Sequence, residues 1–199
     1  MARVGIMGGT FNPVHYAHLL IAEYAYEKLS LQKVIFITGG NPPHKEGKPI
    51  VDAKIREAMV ASAICDNPKF QISSYETDKE EFSYTAKTLE YLKKNNPQDD
   101  FYFIIGADSL AYLEKWYEPQ KIADNATIAV YDREGFDTKA LKTRILEFID
   151  ANVEIIDAPQ FDISSSLIRK RISEGKSVKY MVPESVIKII EDKGLYLDD

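Results

Sequence analysis

Short apolar, β-branched runs alternate along the chain with longer stretches in which apolar residues recur at helical spacing. The runs that predict strands are Val4 to Met7, Lys33 to Thr38, Phe70 to Ser73, Phe101 to Ile105 and Thr127 to Tyr131. The stretches that predict helices are Ala17 to Leu29, Asp52 to Cys65, Tyr84 to Lys94 and one that begins at Ser109. Parallel strands need a crossover, which is usually a helix. The alternation therefore predicts an α/β fold with a mostly parallel sheet and helices on both faces.

Three connections follow predicted strands, at the strand ends where ligands bind in this class of fold. They are Gly8 to Tyr16, Gly39 to Ile50 and Gly106 to Asp108. The second is rich in Pro and Gly and is longer than the roughly 2 to 6 residues usual for such a loop. That length is more typical of a functional lid than of a linker, so we expect a ligand site at this edge of the sheet.

Composition and charge narrow the class of protein. The 199 residues are 45% apolar and 28% charged, which predicts one folded domain and not a disordered chain. With 25 basic and 31 acidic residues the net charge is −6, which argues against a nucleic-acid polymer as a partner. Every apolar run is shorter than the roughly 20 residues that span a membrane, so we expect no membrane insertion.

Cysteine usage bears on the compartment. Cys65 is the single cysteine, so it cannot form an internal disulfide, and the first residues lack the apolar core of a signal peptide. Both features predict a reducing, cytoplasmic setting.

The three histidines all follow predicted strands: His15 and His18 come after the first strand and His44 after the second. One histidine alone is usually a packed or surface residue, whereas three at one sheet edge favour a site. Three imidazoles could also ligate zinc, but their spacing does not fix their distances and Cys65 lies elsewhere in the chain. We therefore predict no metal site built from protein side chains.

The segment Gly8-Gly9-Thr10 joins the first strand to the first helix. Glycines there allow a sharp turn with free N–H groups beside a helix N-terminus, which is a favourable place for phosphate. A plain tight turn is the alternative. His15 and His18 are three residues apart at the start of the helix, so both can face the same ligand.

A second candidate phosphate site lies near the C-terminus, in the run Asp162 to Ile172. Ser164 is a natural helix N-cap, and Ser165 and Ser166 place hydroxyls and main-chain donors at the start of that helix. Arg169 follows one turn later, and its planar guanidinium suits phosphate oxygens. A solvated basic helix face with a serine cap is an equally good interpretation of this segment alone.

These motifs together resemble a known family. The run GGTFNPVHYAHL (8–19), with two histidines three apart, and the run ISSSLIR (163–169) are similar to the two phosphate motifs of a nucleotidyltransferase superfamily. The further motifs are NPPHK (41–45), SYT (83–85), GADSL (106–110), the pair Trp116-Tyr117 and a terminal PESVIKIIEDKGLY. This collinear set, which covers nearly the whole chain, resembles the bacterial nicotinate-nucleotide adenylyltransferases.

The resemblance implies a Rossmann-like, doubly wound fold in a single nucleotidyltransferase domain over residues 1–199. An ATP-binding core would occupy about 1–160, and a small helical, phosphate-binding portion about 161–199. The implied reaction transfers the adenylyl group of ATP to nicotinate mononucleotide, with Mg²⁺ bound mainly through the ATP phosphates. A homodimer is compatible with the resemblance. Pantetheine-phosphate adenylyltransferase and a non-catalytic nucleotide sensor are the alternative functions.

The resemblance also assigns roles to residues. The catalytic candidates are His15, His18, Lys45 and Arg169. The ATP-binding candidates are Gly8, Gly9, Thr10, Phe11, His18, Gly106, Asp108, Ser165, Ser166 and Arg169. The mononucleotide-binding candidates are Asn41, His44, Lys45, Thr85, Trp116 and Arg133. Asp108 could instead cap a helix, Trp116 could be core, and Arg133 could be solvated.

The sequence departs from the family pattern at three positions. Ala17 stands where glycine is usual between the histidines, Asn12 where aspartate is frequent and Met7 where phenylalanine is frequent. The methyl group of Ala17 narrows the approach of a ligand to the backbone. Asn12 carries no charge, so no metal contact is expected from it.

Overall fold

A computed structural model describes residues 1–41 and 50–198 of the chain. Its strands are β1 (Arg3–Gly9), β2 (Lys33–Thr38), β3 (Phe70–Ser73), β4 (Asp100–Gly106), β5 (Thr127–Tyr131) and β6 (Val153–Ile156). They pair in the order β3-β2-β1-β4-β5-β6, and all neighbours are parallel. This is the doubly wound, Rossmann-like arrangement, and the prediction of a mostly parallel α/β fold is confirmed.

Helices connect the strands and cover the sheet. They are α1 (Tyr16–Lys28), α2 (Ala53–Ile64), α3 (Thr85–Asn95), α4 (Ala107–Leu110), α5 (Pro119–Asn125), α6 (Thr138–Phe148), α7 (Ser165–Ser173) and α8 (Glu184–Asp192), with a short 3₁₀ helix at Leu113–Lys115. None of the helices in the described residues combines the length and the apolar composition needed to cross a membrane.

The sheet separates two cores because successive strand residues point to opposite faces. On one face, Met7, Phe36, Tyr102 and Tyr131 pack with residues of α1, α2, α7 and α8. On the other face, Ile6, Phe103, Ile105 and Val130 pack with residues of α3, α5 and α6. Helices therefore cover both faces, and the C-terminal helices share a core with the first half of the chain.

The predicted helix from Ser109 is the main disagreement with the sequence analysis. The structure has instead three short pieces, namely α4, the 3₁₀ helix and α5. Glu118 adopts φ +47°, and Pro119 opens α5 at a position where its missing N–H costs nothing. The break brings Trp116 to a bend between helices.

Two elements had no counterpart among the predictions, α6 and β6. β6 is a four-residue edge strand with one exposed polar position, so its apolar run is too short to be distinctive.

Candidate functional site

A cleft of about 330 Å³ opens at the carboxyl ends of the central strands. The strand order reverses between β1 and β4, which is where a doubly wound sheet binds its ligands. Nine residues that the sequence analysis selected line this cleft: Gly8, Gly9, Thr10, His18, Thr85, Gly106, Asp108, Trp116 and Arg133. The two groups of candidates, for nucleotide and for mononucleotide, are therefore brought together.

The glycine pair does not form the turn that we expected. Gly8 and Gly9 are the last residues of β1 and pair with Ile37 and Thr38 of β2. A Cβ on Gly9 would lie 2.9 Å from the Phe11 ring, and Phe11 is buried with φ +48°. Gly9 is thus required because the Phe11 ring packs directly beneath it, and the bend of the chain is made by the residues that follow.

His18 and His15 form one stacked unit. Their ring centroids are 3.7 Å apart with an interplanar angle of 29°. The His15 main-chain N–H donates to His18 Nδ1 at 3.2 Å, and this acceptor role leaves the proton of a neutral imidazole on Nε2. The edge of the His18 ring also meets the Phe11 ring, with centroids 5.0 Å apart. His18 is consequently a fixed hydrogen-bond donor at the cleft.

Both imidazoles are held in the neutral form. Burial lowers the pKa of His15 from 6.5 to about 3, and the positive charge of Arg133 adds to this effect. The pKa of His18 is also well below its ordinary value, because of burial first and then of repulsion from His15 and Arg133. A neutral histidine can donate one hydrogen bond to an anion without bringing a charge into the cleft.

Asp108 and Arg133 face each other across the strand ends. Arg133 Nε lies 3.5 Å from Asp108 Oδ1, and both side chains are partly exposed. A Cβ on Gly106 would lie 2.2 Å from Asp108 Oδ1, so Gly106 leaves room for this carboxylate. Asp108 lies inside the first turn of α4, whose N-cap is Gly106. The alternative role of Asp108 as a helix cap is therefore wrong.

Thr85 and Trp116 also line the cleft. Thr85 is the first residue of α3, so main-chain N–H groups and the positive end of the helix dipole lie there. The half-buried Trp116 meets Phe103 edge to face, with ring centroids 6.2 Å apart. Trp116 thus lines the cleft with part of its ring and anchors the rest on the core.

Arg169 reaches the segment that precedes the histidines. Its Nη1 donates to the Asn12 main-chain oxygen at 3.1 Å, and Ser165 Oγ donates to the Pro13 oxygen at 2.8 Å. The predicted N-cap is confirmed, since Ser164 Oγ accepts from Leu167 N at 3.2 Å. The start of α7 therefore lies against the loop that connects β1 to His15.

Several predicted site residues are not among the described residues that line the cleft. They are Phe11, His15, Asn41, Ser165, Ser166 and Arg169. Asn12 turns its side chain inward, where its Oδ1 accepts from the Tyr196 hydroxyl at 2.9 Å. The candidates His44 and Lys45 lie outside the described residues.

Glu76 and Ser83 also line the cleft, although neither was predicted as a site residue from the sequence. Thr88 Oγ1 donates to Glu76 Oε1 at 2.7 Å, and burial raises the pKa of Glu76 while hydrogen bonds from Thr88 and Ser83 oppose the rise. Ser83 belongs to the SYT motif, which gave a signal for it. Glu76 lies in a turn of ordinary polar composition, which gave none.

Among the residues that the structure describes, two carboxylates line the cleft. Glu76 and Asp108 line it, and within residues 1–41 and 50–198 no group of three or more His, Cys, Asp or Glu side chains is arranged to hold a metal ion.

The fold and the cleft define a nucleotidyltransferase, and residues 6–171 match the family model described as cytidylyltransferase-like, so the chain belongs to that family. A probable nicotinate-nucleotide adenylyltransferase of Clostridium botulinum is 45% identical over 202 residues, which cover 100% of both chains. A protein of the same name from Lachnoclostridium phytofermentans is 41% identical and covers 99% of this chain and 100% of its own. Within the wider family, the chain belongs to the nicotinate-nucleotide adenylyltransferases.

Solved structures agree with the fold. The Plasmodium falciparum nicotinic acid mononucleotide adenylyltransferase complexed with NaAD superposes with a TM-score of 0.83 at 21% identity. The same protein complexed with APC gives a TM-score of 0.81 at 20% identity. Each comparison covers 100% of this chain and 99% of the other.

Proposed function

We propose that this protein transfers the adenylyl group of ATP to nicotinate mononucleotide, giving nicotinate adenine dinucleotide and pyrophosphate in the biosynthesis of NAD. The observation that carries the proposal is the position of His18. Its neutral ring is fixed by the His15 N–H at the carboxyl end of β1, in the cleft that Thr10 and Trp116 also line. The names of the relatives agree with this reaction.

The reaction is a displacement at phosphorus. A 5′-phosphate oxygen of the mononucleotide forms a bond to the α-phosphorus of ATP, the bond from that phosphorus to the bridging α,β-oxygen breaks, and pyrophosphate leaves with the electron pair. No covalent enzyme intermediate is needed. The protein therefore contributes alignment of the two phosphates and stabilisation of the charge that develops between them.

His18 is the proposed catalytic donor. Its Nε2–H would hydrogen-bond an α-phosphate oxygen, and this bond would strengthen as charge builds in the transition state. The buried His15 stacks on His18 and fixes its tautomer through the main chain, so we assign His15 a positioning role. Thr10 and the Gly8–Gly9 backbone would approach the nucleotide.

Arg169 and the first turn of α7 are proposed to hold the β- and γ-phosphates. The contact of Arg169 with Asn12 O supports this role, because it joins α7 to the loop that leads into His15. Ser166 is exposed at the start of α7, where main-chain donors and the helix dipole favour an anion. Asp108 would accept from the ribose hydroxyls at the end of β4.

The mononucleotide is proposed to lie on the other side of the cleft. Trp116 would stack on the pyridine ring, and Thr85 with the N-terminal donors of α3 would face the nicotinate carboxylate. Arg133 would add positive charge. Asn41, His44 and Lys45 remain the candidates for its phosphate from the sequence motif.

The cleft fits a metal that is bound by ATP. Among the described residues only two carboxylates line it, Glu76 and Asp108, and Asp108 is paired with Arg133, so we propose the phosphate oxygens as the main ligands of Mg²⁺. When bound, Mg²⁺ neutralises charge on the phosphates.

We further propose that residues 1–199 act as one domain in a cytoplasmic setting. The core that α1, α7 and α8 share supports a single domain. The single cysteine, Cys65, supports a reducing, cytoplasmic setting.

Release of pyrophosphate tests the reaction. The protein is incubated with ATP and Mg²⁺, and with nicotinate mononucleotide, nicotinamide mononucleotide or phosphopantetheine in parallel. We expect the highest kcat/KM with nicotinate mononucleotide. Turnover with phosphopantetheine alone would favour the alternative transferase, and binding of ATP without turnover on any acceptor would favour a nucleotide sensor.

A further inference from the structure

Arg56 of α2 is a buried charged residue to which the proposed reaction assigns no role. Arg56 is 1% exposed, and its guanidinium contacts the main chain of Thr10, which lines the cleft. Nη1 donates to the Thr10 oxygen at 2.6 Å, Nε to the Val51 oxygen at 2.7 Å and Nη2 to the Gly40 oxygen at 3.2 Å. One guanidinium thus joins three separate segments of main chain.

These partners are unusual for a buried arginine. In the described part of the chain Arg56 forms no ion pair with a carboxylate, and its hydrogen bonds go to main-chain carbonyls. Burial lowers the pKa of the guanidinium, electrostatic interactions with Tyr196 and then with Asp52 oppose this shift, and an arginine keeps its proton in either case. A desolvated charge is costly in the interior, so stability alone is a poor reason to find it here.

Two of the segments follow the neighbouring strands β1 and β2 and lead to residues that line the cleft. Thr10 follows the glycines of β1 and itself lines the cleft, where the nucleotide is proposed to bind. Gly40 follows β2, and its N–H donates to Ser83 Oγ at 3.2 Å; Ser83 lines the cleft two residues before Thr85. A chain of hydrogen bonds therefore runs from Thr10 through Arg56 and Gly40 to Ser83.

The Gly40 main chain has little room to move away from these hydrogen-bond partners. A Cβ there would lie 2.1 Å from the Glu76 main-chain oxygen and 3.3 Å from Ser83 Oγ. The Gly40 backbone is thus packed between Glu76 and Ser83, and Arg56 Nη2 donates to its carbonyl oxygen. Loss of the guanidinium would therefore remove a hydrogen bond from the Thr10 main chain and one from the Gly40 main chain at the same time.

We propose that Arg56 is a positioning residue that fixes the Thr10 and Gly40 main chains relative to each other and so aligns the nucleotide and mononucleotide sides of the cleft. The proposal rests on the proposed adenylyl transfer for the identity of the two ligands. The planar fork is essential because three acceptors in different directions need several N–H groups on one rigid group. A lysine keeps the charge but cannot reach all three.

The test compares Arg56→Lys with the wild type and with Arg144→Lys as the matched control. Arg144 also donates to a main-chain carbonyl, Ala111 O at 2.5 Å, but lies on α6 outside the cleft. Dissociation constants for ATP with Mg²⁺ and for nicotinate mononucleotide are measured separately by calorimetry, well below the melting temperature of each variant, and normalised to folded protein. Arg56→Met, which keeps the length but loses the donors, is measured in the same way where it folds.

We expect Arg56→Lys to weaken binding of both ligands by about tenfold, the loss typical of hydrogen bonds from a charged donor, while Arg144→Lys matches the wild type. A lower melting temperature with either dissociation constant unchanged would overturn the proposal, since a purely structural arginine would give that result. Absence of turnover in the wild type would contradict the proposed function instead. The ratio of dissociation constants would still decide the role of Arg56.

Discussion

The main-chain N–H of His15 donates to Nδ1 of His18 at 3.2 Å while the two rings stack with centroids 3.7 Å apart. This arrangement uses an N–H that the first turn of α1 leaves without a helical acceptor. It also fixes the tautomer of His18, since the ring nitrogen that accepts cannot carry the proton of a neutral imidazole. Of the two histidines, His18 thus serves as the hydrogen-bond donor, and His15 fixes the orientation and tautomer of the His18 ring.

Replacement of His18 by alanine should lower kcat by roughly a hundredfold, about 3 kcal/mol, with little change in the dissociation constant for ATP. The reason is that a preorganised donor contributes mainly where charge develops. His18→Asn keeps an N–H donor and should lose less. Steady-state kinetics with direct ATP binding measures both effects, and an equal loss of ATP affinity and kcat would make His18 a binding group only.

The stability of the protein should fall as the pH is lowered from about 6.5. The pKa of His15 is about 3 in the folded protein and near 6.5 when unfolded, so between these values only the unfolded chain takes up the proton. The neutral, buried His15 therefore stabilises the fold above pH 6.5, and this contribution is lost as the pH falls, by about 1.4 kcal/mol per unit. His18 acts in the same direction.

Urea unfolding of the wild type and of His15→Asn across pH 4 to 7 measures this effect. The wild type should show the steeper loss of unfolding free energy with acid, and the difference between the two slopes should be about 1.4 kcal/mol per pH unit. Equal slopes would mean that His15 takes up its proton in the folded state.

The strand ends and their glycines, threonine and histidines were predictable because β-branched runs mark buried parallel strands and whatever follows such a strand lies at the ligand edge. Gly8, Thr10 and His18 were placed at this edge in this way, and all three line the cleft. Glu76 and Arg56 were not, because a carboxylate in a turn and an arginine in a helix are ordinary at those positions. Their roles depend on contacts over 12 and 46 residues of chain, with Thr88 and with Thr10, which no local pattern records.

Replacement of Trp116 by alanine should raise the KM for nicotinate mononucleotide by about tenfold and leave the KM for ATP nearly unchanged. Stacking of an aromatic side chain on a ring is typically worth 1 to 3 kcal/mol. Trp116→Phe keeps a stacking face and should recover most of the affinity. Because the chain has one tryptophan, quenching of its fluorescence by the mononucleotide gives an independent measurement of mononucleotide binding. An unchanged KM in both variants would mean that Trp116 serves only as a core residue.

Removal of the Arg169 side chain should raise the KM for ATP by roughly tenfold to a hundredfold, in line with the loss of charge-assisted hydrogen bonds worth about 1.5 to 3 kcal/mol. Lys170→Ala is the matched control, because it removes the same charge from the next residue of α7, which is exposed. Initial rates at varied ATP should distinguish the two variants. Similar KM values for both would favour the solvated basic face as the role of this helix.

Alanine at Gly8 and at Gly9 should separate binding from folding, although the two glycines are neighbours in β1. Among the described residues, a Cβ on Gly8 would meet only Phe103, at an ordinary contact distance of 3.6 Å, so Gly8→Ala should stay within about 0.5 kcal/mol of the wild-type stability. Gly8 lines the cleft, and the added methyl group should raise the KM for ATP by about tenfold. Gly9 differs from Gly8 because a Cβ there would lie 2.9 to 3.2 Å from three atoms of the buried Phe11 ring, which has no flexible end that could move aside. Gly9→Ala should therefore lower the free energy of unfolding by about 1 to 3 kcal/mol, as is usual when a side chain overpacks a core. Thermal unfolding and ATP titration of both variants give the comparison, and a stable Gly9→Ala protein with wild-type binding would mean that Phe11 does not depend on the missing side chain.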